Sequence, residues 1–123
     1  MSIFSKLFSG SPKKQPTHVD DSNFDDEVLK SDVPVLVDVW NDGCAPCKQL
    51  EPIMMSLAGE YDGRIKVCEL HIRTGMKVAQ RYQVRGTPTV LYFRDGRLVE
   101  RVVGFRGSLY HREIIDNELL PSA

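Results

Sequence analysis

No apolar run in this chain is long enough to cross a membrane, so a spanning helix is not expected. Neither sign of charge is in excess: 16 Lys and Arg stand against 17 Asp and Glu, a formal net charge of -1. A chain so balanced has no long-range field to gather a polyanion, and no nucleic-acid partner is expected. Cysteine is scarce and odd in number, three in all, which excludes a disulfide framework as the source of stability. None is required. A chain of 123 residues that is 41% hydrophobic can bury roughly two thirds of its unfolded surface as one domain. Internal repeats and a low-complexity core are also missing.

The N-terminal stretch MSIFSKLFSGSPKKQPTHV lacks the length of a secretion signal. Its apolar residues stop at Phe8 and no small-x-small cleavage site follows, so secretion is not expected. Ile3, Phe4, Leu7 and Phe8 would share a face in a helix, and Lys6, Lys13 and Lys14 could attract an anionic surface. Residues 9–17 are rich in Ser, Gly, Pro and Lys, however, and the segment reads as a flexible tail over residues 1–17 without membrane contact. The domain is expected over residues 18–121.

What is present from there on alternates between two periods. SNFDDEVLK reads as a short helix with Ser22 or Asn23 as its cap and Lys30 near its end. VPVLVDVW is a β-branched apolar run of the kind found in a strand covered on both faces, interrupted by one carboxylate, Asp38. Leu50, Ile53, Met54, Leu57, Ala58 and Tyr61 recur at helical spacing, and Gly63 lies beyond the end. RIKVCEL reads as a second central strand and MKVAQRY as a short helix. TVLYF and LVERVV form a hairpin about Asp95-Gly96. SLYHREIIDNELL closes the chain as a helix capped by Ser108 and stopped by Pro121. The order βαβαβαββα predicts an α/β fold, a central mixed β-sheet flanked by helices on both faces. Function is then expected at the carboxyl ends of the parallel strands, where Trp40 leads into NDGCAPCK.

Two cysteines three apart at the start of a helix lie on one face, within reach of a disulfide. Pro46 is tolerated there because first-turn amides have no intrahelical partner. Cys44 would stand at the helix tip, where those amides and the positive end of the dipole favour a thiolate, the species that attacks disulfides. Cys47, one turn further in, would resolve the mixed disulfide. Half of a zinc site is the competing reading, but Cys68, His18, His71 and His111 supply no second ligand pair at CxxC or HxxxH spacing, so no metal is expected. Asp38 calls for a use, because an unpartnered carboxylate in an apolar strand costs several kcal/mol; a proton relay is the expected one. Cys68 reads as a packed small hydrophobe, Trp40 as a residue under the CAPC loop, Met54 and Met55 as helix packing, and His111 as a partly buried core-edge residue.

VDVW, CAPCK, Pro52, RGTPT, Asp95-Gly96 and Gly104 occur in an order that resembles the thioredoxin family, from about Val19 to Leu119 without an insertion. The resemblance implies the thioredoxin fold and reduction of protein disulfides through Cys44 and Cys47, with no cofactor beyond their reversible disulfide. It implies that Thr87-Pro88 is cis and lies against the CAPC loop, and that Gly104 lets a substrate peptide approach closely. Gly43, Ala45, Pro46, Thr87, Pro88 and Gly104 are thus the expected substrate-binding positions. The implied partners are disulfide-containing proteins and a dithiol or flavoprotein reductase as electron donor; a CxxC in a domain of this size points to thiol chemistry in a reducing compartment, and a cytoplasmic monomer is expected. Three positions depart from the family: Gly43 stands where Trp is usual, Glu69 where a Lys commonly faces the buried Asp, and Ala45 where Gly is usual. Glu69 is therefore expected to modulate the relay, sharing a proton with Asp38. The alternatives to a reductase are a disulfide oxidase or isomerase and a non-catalytic binding module.

Overall fold

Five strands and their connecting helices are laid out in the computed structural model, which describes residues 12–121. Strand β1 (Thr17–Val19) leads to a single wide helical turn, α1 (Asp25–Leu29), and then to β2 (Val35–Trp40), α2 (Ala45–Glu60), β3 (Lys66–His71) and α3 (Met76–Arg81). The hairpin β4 (Thr89–Arg94) and β5 (Arg97–Val103) follows, and α4 (Ser108–Ile114) runs on into a second wide turn at Ile115–Leu119. The sheet order is β1-β3-β2-β4-β5, with β1, β3 and β2 parallel and the hairpin antiparallel. This is the expected mixed sheet.

The alternation of β2 sorts the core into two layers. Leu36 faces Leu50, Met54 and Leu57 of α2, together with Tyr92 and Ile115. Val35, Val37 and Val39 face the opposite layer, built on Phe24, Val28, Val78 and Phe93. Both layers are buried, which explains why β2 reads as an almost unbroken apolar run. By period two, Asp38 and Trp40 share the α2 side with Leu36. The Asp95-Gly96 turn has positive φ at both residues, 53° and 74°, as a tight two-residue hairpin requires.

Local details at three ends differ from expectation. Neither Ser22 nor Asn23 caps α1: its first flanking residue is Phe24, with no side-chain cap. Asp20 organises that corner instead, its carboxylate accepting from the Ser22 amide and hydroxyl while its carbonyl accepts from the amides of Asn23 and Phe24. Ser108 is the first residue of α4 and Gly107 the cap position, again without a side-chain bond. The chain also joins the fold before residue 18. Thr17 belongs to β1, and the Lys14 amide donates to the Met55 carbonyl at 3.1 Å. This strap crosses α2 at Gly59, where a Cβ would stand 1.6 Å from the Pro12 carbonyl oxygen. The earlier part of the expected tail, residues 1–11, lies outside the described residues.

Candidate active site

The end of β2 delivers Trp40 to a short loop, and the loop delivers Cys44 to the first position before α2. Gly43 takes a positive φ of 64° in that loop, a conformation that a β-carbon disfavours. No side chain therefore stands beside Cys44 at this position, and the space where a Cβ would be is open. Cys44 and Cys47 are joined as a disulfide with their Cα atoms 5.2 Å apart. Cys44 caps α2 with its own sulfur, which accepts the Cys47 amide at 3.3 Å. Ala45 and Pro46 are exposed beside it, Cys44 is half-buried, and Cys47 is buried.

The Thr87-Pro88 bond is cis, and it sits against the CAPC loop. Cys44 Sγ lies 3.7 Å from the Thr87 carbonyl oxygen and 3.7 Å from the Thr87 hydroxyl, which donates to it. On the far side of Pro88, its carbonyl accepts the Gly104 amide at 2.8 Å. Gly104 has φ of 87° and open space where a Cβ would be. Val103, Phe105 and Leu109 expose apolar surface around it. The six expected substrate-binding positions are thus split between the helix tip and the turn facing it, on either side of Cys44.

Behind the disulfide an open cleft of about 390 Å³ is lined by Asp38, Cys47, Trp40, Glu51, Glu69 and Gln15 of the strap. Asp38 is buried, and among the described residues its Oδ1 has no hydrogen-bond partner. Loss of hydration, with lesser contributions from Glu69 and Glu51, pushes its pKa up to about 7. A carboxyl group that gains and loses a proton near neutrality thus shares a cleft with the buried sulfur. Glu69 is the residue in register with Asp38 on the neighbouring strand, but among the described residues no hydrogen bond joins them. Its Oε1 accepts the Trp40 indole N–H at 2.6 Å and its Oε2 pairs with His18 Nδ1 at 2.7 Å. Both oxygens are engaged elsewhere, so a shared proton is not what the geometry displays.

The remaining singled-out residues settle into the frame. Cys68 is a buried free thiol, its pKa pushed up to about 12 by burial, and it is walled off within β3 as a packing residue. Trp40 lies edge-on to His71, ring centroids 4.5 Å apart, at the strand ends beneath the loop. His71 in turn pairs with Asp42 at 3.1 Å. His111 is not at the core edge. It is fully buried against the Tyr92 hydroxyl, and burial outweighs the help of the Arg106 carbonyl to lower its pKa to about 4. Among the described residues no group of three or more His, Cys, Asp or Glu is placed to hold a metal ion. Sequence reasoning missed Glu51, His18 and Phe105. Glu51 could have been found, since four residues after Cys47 it falls on the same face of α2. The other two depend on contacts made by distant segments.

A dithiol-disulfide pair at a helix N-terminus, a cis-proline turn across from it and a buried carboxyl behind it define a thiol-disulfide oxidoreductase. Comparison with known proteins agrees. The thioredoxin family profile matches residues 15–116. The chain is 49% identical to a thioredoxin of Thiocapsa roseopersicina over 81 residues, 66% of this chain and 89% of that protein. It is 42% identical to a thioredoxin of Pseudomonas aeruginosa over 87 residues, 71% and 81% of the two chains, and 44% identical to thioredoxin 1 of Nostoc sp. over 86 residues, 70% and 80%. The chain belongs to the thioredoxin family, and its activity is protein-disulfide reduction. Among the described residues no helix is long and apolar enough to cross a membrane.

Proposed function

We propose that Cys44 is the attacking thiol, Cys47 the resolving thiol and Asp38 the proton relay of this reductase. The supporting observation is their order in depth: Cys44 half-buried at the mouth, Cys47 buried behind it, and Asp38 in the cleft that Cys47 lines. In the reduced protein the Cys44 thiolate attacks one sulfur of a substrate disulfide and expels the other as a thiolate. The Cys47 amide and the Thr87 hydroxyl, already aimed at Cys44 Sγ, stabilise the charge before the attack. Asp38 then accepts the Cys47 proton. Cys47 attacks Cys44, closing the disulfide and releasing the second substrate thiolate. Two electrons have passed from the dithiol to the substrate. In the reverse direction protonated Asp38 returns its proton to Cys47 as that sulfur leaves, and a dithiol or flavoprotein reductase supplies the electrons.

An extended peptide of the substrate protein would lie along Thr87, Pro88 and Gly104, with Gly43, Ala45 and Pro46 forming the opposite lip. The absence of a Cβ at Gly104 leaves room for its backbone. Such a cycle runs on the sulfur pair with no further cofactor. The protein would act as a monomer in the reducing cytoplasm, where a CxxC pair can cycle. Brief alkylation of the reduced protein near neutral pH, followed by peptide mapping, tests the assignment. Cys44 should be labelled first; faster labelling of Cys47 or Cys68 overturns it.

A further inference from the structure

His18, Glu69 and Asp38 occupy one cross-strand row. His18 on β1 is in register with Glu69 on β3, and Glu69 with Asp38 on β2. In-register residues of parallel strands project from the same face, here the α2 face. The row runs inward from solvent: the His18 side chain is 58% exposed, Glu69 25%, and Asp38 is buried. Glu69 is the hinge of the row, since Trp40 fixes one of its oxygens and His18 the other. Its position opposite Asp38 is therefore set, and the net charge of the His18–Glu69 pair depends on what His18 carries.

Resting on the relay role of Asp38, we propose that His18 is a positioning residue for disulfide reduction, governing through Glu69 how tightly Asp38 holds the proton it exchanges with Cys47. The other groups facing the cleft are Glu51 and Lys48 on α2 and Asp42 in the loop after β2, while β4 presents apolar Val90 opposite Asp38. Asp42 is held by His71 and Arg73, and Asp20 lies 3.3 Å from the outer nitrogen of His18. His18 is the imidazole that touches the carboxylate next to Asp38. The Glu69 hydrogen bond raises its pKa from the ordinary imidazole value and so favours its charged form. Protonated, it balances Glu69 and lets Asp38 ionise more readily. Deprotonated, it leaves Glu69 to oppose that ionisation.

The test reads the Asp38 carboxyl carbon by NMR across pH, alongside the pH profile of protein-disulfide reduction. Two strand spacings separate His18 from Asp38, about 10 Å, so His18→Gln should move the Asp38 midpoint up by a few tenths of a pH unit at low salt. Glu69→Gln should move it down by about one unit, and adding His18→Gln to Glu69→Gln should move it less than it moves the parent, because without the Glu69 hydrogen bond His18 holds its charge less firmly. His18→Lys, a permanent cation, should hold the midpoint at or below that of the parent. The rate profile should follow each shift. A midpoint unmoved by His18→Gln, or moved equally with and without Glu69, overturns the proposal. Asp38→Asn separates that failure from failure of the relay itself: a rate profile that keeps its transition without Asp38 refutes the relay.

Discussion

Two buried groups with opposite pKa shifts should hide one another in the pH dependence of stability, and removing one should expose the other. Asp38 is raised from 3.8 to about 7 by burial. Between those values the folded protein holds a proton that the unfolded chain has released, so this contribution to stability is present at low pH and lost as pH rises. At about 1.4 kcal/mol per pH unit the loss totals about 4 kcal/mol by pH 7. His111 is lowered from 6.5 to about 4, also by burial. Here the unfolded chain binds the extra proton, so stability is present above 6.5 and lost as pH falls towards 4, by about 3 kcal/mol. Between pH 4 and 6.5 the two slopes are equal and opposite.

Asp38→Asn removes one of them. Urea unfolding of the oxidised protein between pH 4 and 8, followed by far-UV circular dichroism, gives the stability of both forms with the active-site thiols unable to titrate. Other groups titrate alike in the two proteins and cancel in the difference. The variant minus parent difference should climb by about 4 kcal/mol from pH 4 to 7 and then level. The variant's own curve should retain the rise due to His111, and adding His111→Leu should remove it. A difference curve that stays flat from pH 4 to 8 would show that Asp38 is ionised throughout, and the relay would lose its physical basis.

Other outcomes follow from single contacts. Phe105, 42% exposed next to Gly104, should matter to bulky partners alone: Phe105→Ala should slow reduction of a protein disulfide several-fold, on the order of the 1 kcal/mol or more that a contacting aromatic contributes, while leaving the rate with a small disulfide unchanged. Equal slowing of both substrates would place Phe105 outside the partner surface. Gly59→Ala should push the strap off α2, since the new methyl would meet the Pro12 carbonyl at 1.6 Å; limited proteolysis between residues 12 and 16 should accelerate, and unchanged cleavage would show that the strap shifts without detaching.

The sequence by itself determined the order of the elements and the place of the chemistry, for local reasons. An apolar β-branched run has few uses other than a doubly covered strand, Asp95-Gly96 has the left-handed tolerance a tight hairpin needs, and CAPC before an amphipathic helix puts one sulfur at its tip and the other behind it. Asp38 was legible because a carboxylate in such a run is an anomaly wherever the strand lies. Tertiary structure alone decided what surrounds these residues. His111 carries the spacing of a core position, but only the arrival of Tyr92 from β4 explains why a histidine is tolerated there. The start of α1 rests on Asp20, whose carbonyl takes the amides of Asn23 and Phe24 in place of a capping side chain. Glu69 could be placed beside Asp38 by strand order, yet its partner His18 is 51 residues away. No periodicity connects them, because register between strands is chosen by the burial of whole faces and not by the few residues whose charges then meet.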